Sequence, residues 1–164
     1  NRIYETDCLK ETKAYLSKTG RLVGLDGKAK ASKSLGNTIM ISDQPDVIKE
    51  KVFSMYTDPN HLKVTDPGQV EGNVVFAYLD AFYGNKEHLK DLKDHYTRGG
   101  LGDMVIKKLL LETLLELMNP MRERRESLHD DDIQEMLRKG TEKARARVQK
   151  TMTEVRKAIG LNYF

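Results

Sequence analysis

The sequence predicts a mainly α-helical protein in which a helical bundle follows a short segment of extended chain and loop. Three observations support this prediction. From about residue 42 onward, apolar residues recur with the 3.6-residue period of a helix. Residues 1–43 lack that period and carry short apolar pieces on either side of a stretch rich in Gly, Lys and Ser. No apolar run approaches the roughly 20 residues that span a bilayer, so we expect no membrane partner.

The composition is that of an ordinary globular protein. The chain has 164 residues, with 28 Lys or Arg, 25 Asp or Glu, a formal net charge of +3 and 38% hydrophobic residues. This content is enough for one domain or slightly more, and it excludes a disordered chain. The single cysteine, Cys8, excludes an intrachain disulfide and favours a reducing, cytoplasmic setting. Since the chain begins at Asn1 rather than Met, we expect a processed or truncated product.

The first 43 residues are predicted to be mostly non-helical. Two short apolar pieces, Arg21–Val23 and Thr38–Ser42, are predicted to be extended because loop-forming residues lie between them. Leu9–Leu16 is a candidate for one short helix before Gly20.

Two helices are predicted next. The first follows Ser42 and Asp43, whose side chains can cap it, and has Pro45 in its first turn. Its apolar face consists of Ile48, Val52, Met55 and Tyr56, before a stop at Asp58–Pro59. After a connector over residues 58–72, Asn73 is the predicted N-cap of the second helix. The apolar face of that helix consists of Val75, Tyr78, Leu79 and Phe82, with Gly84 beyond it.

The C-terminal part carries the longest helical patterns. Apolar residues continue at helical spacing through Leu89, Leu92 and Tyr96, and Gly99–Gly100 is predicted to end that helix. Asp103 opens a long helix in which Pro120 predicts a kink or a break. Asp130–Asp132 are predicted to cap and begin a short helix, and Gly160 to end the last one. The apolar face of the long helix that begins at Asp103 is predicted to consist of Ile106, Leu110, Leu114, Leu117, Met118 and Met121. The apolar face of the last helix is predicted to consist of Ala144, Val148, Met152, Val155 and Ile159.

The stretch Gly24–Asn37, called the basic loop below, is the best candidate for chemistry. It contains Lys28, Lys30 and Lys33, two serines, and glycines that let the backbone bend closely around a ligand. Lysine ammonium groups suit a polyphosphate, because they act as mobile point charges for phosphate oxygens. A solvated basic turn is the alternative on composition alone, since the phosphate-loop pattern G-x-x-x-x-G-K-[ST] is absent.

The string Lys30-Ala31-Ser32-Lys33-Ser34 resembles the Lys-Met-Ser-Lys-Ser signature of class I aminoacyl-tRNA synthetases, and its flanks resemble the tryptophanyl version. Further stretches recur in the same order in bacterial tryptophanyl-tRNA synthetases, namely Asp43–Pro59, Asp66–Asn73, Arg98–Asp103, Arg122–Arg125 and Gly140–Arg147. The resemblance covers nearly the whole chain. It implies that residues 1–43 end a class I α/β catalytic domain and that residues 44–164 form a helical anticodon-binding domain.

The resemblance also implies a reaction and a set of site residues. In the family, ATP and tryptophan form tryptophanyl-adenylate with release of pyrophosphate, and the amino acid passes to the 3′ end of tRNA(Trp). Lys30 and Lys33 match the two catalytic signature lysines, which bind the ATP phosphates. The implied ATP-binding set is Leu22, Val23, Lys30, Ala31, Ser32, Lys33 and Ser34. We expect no protein-bound metal, with Mg²⁺ arriving on ATP, and we expect the full-length protein to be a homodimer.

Two departures from the family pattern affect these expectations. Ala31 stands where the signature has Met, which affects loop dynamics and rate more than loop chemistry. The chain also has no His-Ile-Gly-His-like signature and no preceding nucleotide-binding half. We therefore expect the chain alone to be inactive.

The C-terminal helices are a second candidate site. Residues 119–157 contain eleven Lys or Arg against eight acids, a slight surplus that ordinary solvated helix faces also show. The resemblance favours contacts with the anticodon region of tRNA, for which the candidates are Arg122, Arg125, Arg145 and Arg147.

Two other hypotheses remain open at this point: a stand-alone helical RNA-binding module or synthetase paralogue without aminoacylation activity, and a helical scaffold whose basic loop is incidental. An upstream His-Ile-Gly-His-type motif would discriminate the synthetase from both. The four histidines lack metal-ligand spacing and are expected to be surface or cap residues, namely His61, His88, His95 and His129.

Overall fold

A computed structural model describes residues 1–17 and 19–161. Within these residues the chain forms five helices and no β-strand. The helices are α1 (Pro45–Phe53), α2 (Val74–Phe82), α3 (Lys86–Arg98), α4 (Asp103–Glu126) and α5 (Asp130–Ala158). The predicted mainly α-helical class is confirmed. In the described part of the chain, no helix combines the length and apolar character that a membrane span requires.

The chain divides into two compact units. The larger unit, Ser17–Glu126, contains the basic loop and α1 to α4. The smaller unit combines Asn1–Leu16 with Ser127–Phe164 and contains α5. The predicted division into residues 1–43 and 44–164 concerns catalytic and anticodon-binding domains, and it stays a prediction.

The larger unit is built around α4. This helix packs against α1 and α2, and α2 packs against α3. The predicted apolar faces meet in one core, whose fully buried members include Ile48, Val52, Val75, Phe76, Leu79, Leu89, Tyr96, Ile106 and Leu110. Burial of each such side chain contributes roughly 1.5–3 kcal/mol. The core therefore supports the basic loop, because Leu25 of the loop packs into the core.

The start of α1 differs from the prediction. The helix begins at Pro45 after Gln44, which makes no side-chain cap bond, so neither Ser42 nor Asp43 is the N-cap. The Asp43 carboxylate is taken by other partners, because it accepts from the Met40 N–H at 2.8 Å and from the Lys51 ammonium at 2.6 Å. Asp43 therefore binds the preceding turn and a lysine of α1 instead of capping the helix.

The caps of the middle helices follow their sequence signals. The Asn73 side chain accepts a hydrogen bond from the Val75 N–H at 3.0 Å, which confirms it as the N-cap of α2. Gly99 ends α3 with φ +85, and a Cβ there would collide with the Thr65 carbonyl oxygen. Only glycine fits this close approach.

The predicted break at Pro120 does not occur, since α4 runs continuously from Asp103 to Glu126. Proline removes the hydrogen bond to the carbonyl of Glu116. Both Glu116 and Pro120 are exposed, so water can reach the freed carbonyl. The buried side chains of Leu114 and Met118 hold the same helix on the core.

The smaller unit consists mainly of one long helix. The predicted short helix and last helix are a single element, α5, whose first turn carries Asp130–Asp132. Its N-cap is His129, whose backbone N–H donates to the Asp132 carboxylate at 3.2 Å. No residue of α5 is buried. The predicted apolar stripe thus lies outside any core of the described residues, with Val148 57% exposed.

The predicted short helix over Leu9–Leu16 is wrong, because these residues form no regular element. Tyr15 is 100% exposed and Leu16 is 85% exposed. A helix this short needs a packed face to be stable in water, and the segment has none.

His61 is buried and is not the surface residue that the sequence predicted; its side chain is only 2% exposed. Its ring packs edge-on against Tyr96 with centroids 4.6 Å apart, and its Nδ1 lies 3.5 Å from the Asp103 carboxylate. The Tyr96 hydroxyl donates to the same carboxylate at 2.8 Å. Burial, together with this carboxylate, raises the pKa of Tyr96. The cluster joins the connector before α2 to α3 and to the first turn of α4.

Candidate functional site

The basic loop begins as a narrow hairpin. Val23 and Lys30 form an isolated antiparallel bridge, and the Ala31 N–H donates to the Leu22 carbonyl at 3.0 Å. At the turn, Gly27 has φ +69 and lies so close to Tyr56 that a Cβ would be 2.8 Å from its ring. The extended character predicted for Arg21–Val23 is therefore limited to one bridge.

The segment after the loop, Thr38–Asp43, is not a strand. It runs as irregular chain and turn. Lys51 fixes it to α1, because its ammonium group donates to the Thr38 carbonyl at 3.0 Å as well as to the Asp43 carboxylate. Desolvation raises the pKa of Asp43, but the bonds from Lys51 and the Met40 N–H outweigh this and lower it overall.

Asn37 is the one loop residue that is both polar and buried, being 8% exposed. Its Oδ1 accepts from the Ser32 N–H at 2.9 Å, and its Nδ2 donates to Asp26 Oδ1 at 3.2 Å and to the Lys30 carbonyl at 3.3 Å. Gly24 makes room for this side chain, since a Cβ there would collide with Asn37 Nδ2. The sequence pattern did not predict this role. The signal that could have indicated it is an amide side chain placed directly between a loop glycine, Gly36, and the apolar piece Thr38–Ser42.

The predicted phosphate-binding side chains of the loop are accessible to solvent, Ser32 only in part. Lys28, Lys30 and Lys33 are exposed, and among the described residues none of them forms an ion pair with a carboxylate. The hydroxyl oxygens of Ser32 and Ser34 are 3.0 Å apart. Three ammonium groups without carboxylate partners and two hydroxyls, carried on one bent loop, are the kinds of group that bind an anion with several oxygens.

Asp26 is the acidic group closest along the chain to these lysines. Desolvation raises its pKa, but hydrogen bonds from the Lys28 N–H and the Asn37 amide outweigh this and lower it overall. Its carboxylate thus stays ionised at neutral pH while it is used to hold the turn.

The base of the loop is anchored to the core. The Tyr78 hydroxyl of α2 donates to the Val23 carbonyl at 3.0 Å, and burial raises the pKa of Tyr78. An apolar groove of ≈ 310 Å³ lies beside this anchor, lined by residues that include Leu22, Ile39, Tyr78, Phe82, Leu117 and Met121. Of the predicted ATP-binding residues, Leu22 lines this groove, and the Val23 carbonyl accepts the hydrogen bond from Tyr78.

The four arginines predicted to bind tRNA fall in different units. Arg122 is half-buried, donating to Asn119 Oδ1 at 2.7 Å and to the Asp43 carbonyl at 3.0 Å. Arg125 is exposed and lines the same surface cavity as Arg122, with a volume of ≈ 780 Å³. Arg145 and Arg147 are exposed on α5 in the smaller unit. Within the described residues, then, the structure brings Arg122 and Arg125 together beside the segment that follows the basic loop.

Residues 1–119 match a family described as tRNA synthetases class I (W and Y). The chain belongs to this class I synthetase family. Its full length is 54% identical, over 168 residues, to the tryptophan–tRNA ligase of Clostridium longisporum, and covers 49% of that protein. It is 50% identical over 171 residues to the tryptophan–tRNA ligase of Streptococcus pyogenes serotype M3, and covers 50% of it. The chain thus spans about half the length of the curated relatives it matches.

Solved structures of synthetases in this family share the fold. The tryptophanyl-tRNA synthetase of Campylobacter jejuni, complexed with ADP and tryptophan, matches 89% of this chain with a TM-score of 0.73 and 30% identity, over 45% of its own length. That of Giardia lamblia matches 67% of this chain with a TM-score of 0.59 and 26% identity, over 28% of its own length. These matches confirm the resemblance that the sequence motifs indicated.

Proposed function

We propose that this chain is part of a tryptophan–tRNA ligase and supplies its ATP phosphate-binding loop and its tRNA-binding helices. The observation that carries the proposal is the basic loop, which presents Lys30 and Lys33 without carboxylate partners among the described residues. The identity of 50–54% with tryptophan–tRNA ligases over the full chain supports the same reaction.

In the proposed reaction, the tryptophan carboxylate attacks the α-phosphorus of ATP, the bond to the bridging oxygen breaks, and pyrophosphate leaves. Negative charge grows on the departing phosphates, and Lys30 and Lys33 stabilise it as point charges. Ser32 and Ser34 donate hydrogen bonds from the same loop, while Leu22 and Val23 lie beside the adenine. Mg²⁺ carried by ATP supplies further charge neutralisation. The tryptophan pocket is assigned to the rest of the enzyme.

Transfer to tRNA(Trp) requires a surface for the RNA. We assign Arg122, Arg125, Arg145 and Arg147 to phosphate contacts in an anticodon-binding domain over residues 44–164. The exposed guanidinium groups of Arg125, Arg145 and Arg147 support this assignment, since phosphate contacts position RNA while unstacked bases are read separately. A cytoplasmic homodimer is the proposed state of the full-length enzyme.

The loop assignment is tested by Lys30→Ala and Lys33→Ala in the full-length enzyme. Each is expected to lower the rate of tryptophan-dependent pyrophosphate exchange by about 10²–10³-fold, because each removes charge stabilisation that is needed most as pyrophosphate departs. Tryptophan affinity should change little. Lys63→Ala, an exposed lysine of the connector, is the matched control. Normal exchange rates in both loop variants would refute the assignment.

The purified 164-residue chain gives a separate check. We expect no tryptophan-dependent pyrophosphate exchange from it alone, because the tryptophan pocket is assigned elsewhere. Detectable exchange would contradict that assignment without affecting the role of Lys30 and Lys33.

A further inference from the structure

We infer that Asn37 is a positioning residue for adenylate formation, which acts by fixing the backbone of Lys30 and Ser32 in the geometry that receives the ATP phosphates. This inference rests on the proposed function of the basic loop. Asn37 itself is buried, so the role inferred for it is exerted through the loop backbone.

The hydrogen bonds of Asn37 join the two arms of the loop. On the arm before the turn, its backbone carbonyl accepts from the Leu25 N–H at 2.9 Å and its Nδ2 donates to Asp26 at 3.2 Å. On the arm after the turn, its side chain binds the Lys30 carbonyl and the Ser32 N–H. The Asn37 side chain therefore adds to the backbone bonds of the hairpin a cross-link that reaches Asp26, Lys30 and Ser32 at once, next to the point from which the Lys30 side chain emerges.

The second half of the signature lacks this support. Among the described residues, Asn37 makes no hydrogen bond to Lys33 or Ser34. The stretch Lys33–Gly36 is exposed and is held by the Gly36 N–H to Lys33 carbonyl bond at 3.2 Å and by the contact between the two serine hydroxyls. The loop thus has a fixed half that carries Lys30 and a less supported half that carries Lys33.

An amide is needed at position 37 because the site demands donors and an acceptor together. The Ser32 N–H requires an acceptor, whereas the Asp26 carboxylate and the Lys30 carbonyl both require donors. A carboxylate of the same size would keep the acceptor but repel Asp26. Substitution with alanine removes the side-chain partner of the Ser32 N–H, the Asp26 carboxylate and the Lys30 carbonyl.

The structural part of the inference is tested in the 164-residue chain. Asn37→Ala should abolish the hydrogen-exchange protection of the Ser32 amide, whose acceptor is removed, while amides of α4 keep theirs. Asn60→Ala, at an exposed asparagine, should leave the Ser32 amide unchanged. Unchanged protection of Ser32 in Asn37→Ala would overturn the inference.

The functional part is tested in the full-length enzyme by pyrophosphate exchange. Asn37→Ala should lower kcat by about 10- to 100-fold, the effect of small misplacements at a reacting centre, with little change in the KM for tryptophan. A role in overall folding alone would reduce the amount of active enzyme and its thermal stability without altering the kcat of the folded fraction, which active-site titration measures.

A charge swap separates positioning from loss of packing. Asn37→Asp should lower kcat because its carboxylate faces Asp26, and adding Asp26→Asn should restore part of the loss, since the donor and acceptor are exchanged across the 3.2 Å contact. A double variant no more active than Asn37→Asp would overturn the inference. A normal kcat in Asn37→Ala, when Lys30→Ala shows a lowered kcat in the same assay, would also overturn the inference. Normal rates in both Lys30→Ala and Lys33→Ala would instead refute the proposed function.

Discussion

At the scale of a single residue, the Asp43 side chain is suited to cap α1 but binds other groups instead. Its position before Pro45 predicts a helix cap, yet its carboxylate binds the Met40 N–H and the Lys51 ammonium group. Its carbonyl accepts from Arg122, which lies 79 positions further along the chain. These contacts hold the segment after the basic loop against both α1 and α4.

The pKa of Asp43 predicts a pH-dependent contribution to stability. Because its folded-state pKa is lowered, the carboxylate stabilises the fold fully above its unfolded pKa of about 3.9, and this contribution is lost as the pH falls through the folded value. Asp43→Asn should therefore lower the free energy of unfolding by about 1–2 kcal/mol at pH 7. The difference from the unsubstituted chain should shrink below about pH 4. Urea unfolding at several pH values measures it.

The matched control for this prediction is Asp94→Asn, at an exposed position of α3 where no ion pair forms among the described residues. It should change the free energy of unfolding little at any pH. A difference between Asp43→Asn and the unsubstituted chain that persisted at pH 2 would show that Asp43 acts through something other than its charge.

At the scale of an element, α5 displays two kinds of arginine on one exposed helix. Arg138 is paired with Glu135 at 3.0 Å and with Glu142 at 2.8 Å. Arg145 and Arg147 are exposed and form no such pair among the described residues. Unpaired arginines can exchange their counterions for RNA phosphates without first breaking an internal ion pair.

This contrast predicts different effects on RNA binding. Replacing both Arg145 and Arg147 by Gln in the full-length enzyme should weaken tRNA(Trp) binding and reduce the slope of log affinity against log salt by about 1 for each RNA phosphate that is no longer neutralised. Affinity measured by filter binding over a range of salt concentrations gives this slope. Arg138→Gln, with its internal partners, is the control and should leave the slope unchanged. Equal slopes in all variants would remove α5 from the proposed RNA surface.

On the scale of the whole molecule, the core belongs to one unit. Every buried hydrophobic side chain of the described residues lies between Leu25 and Met118, inside Ser17–Glu126. The smaller unit has a long helix without a buried residue. Stability of the chain should therefore reside in the larger unit, since burial of apolar surface is the main favourable contribution to folding.

A truncated polypeptide covering residues 17–126 tests this distribution. It should unfold cooperatively with a Tm close to that of the whole chain, as followed by circular dichroism and calorimetry. A peptide covering residues 127–161 should be only partly helical and should melt without a sharp transition, because an isolated helix lacks packing. Loss of cooperative unfolding in the 17–126 polypeptide would show that the smaller unit supplies essential packing.

Much of the helical fold could be predicted from local patterns. The Asn73 cap, the Gly99 stop and the apolar faces of α1 to α4 follow from spacing and side-chain chemistry alone. The errors fall where contacts outside the helical pattern or solvent decide, as in the Asp43 cap, the break predicted at Pro120 of α4 and the buried His61. The basic loop was found from its lysines, whereas Asn37 was missed because its partners are set by three-dimensional proximity.

The sequence by itself determined the helical class, the position of the basic loop and the resemblance to tryptophanyl-tRNA synthetases, because periodicity, glycine spacing and ordered motifs are local properties of the chain. The tertiary structure alone decided which polar side chains hold the loop, which arginines are exposed and which helix is left outside the core. Those outcomes depend on hydrogen bonds and burial between residues far apart in sequence, such as Val23 with Tyr78 and Asp43 with Arg122.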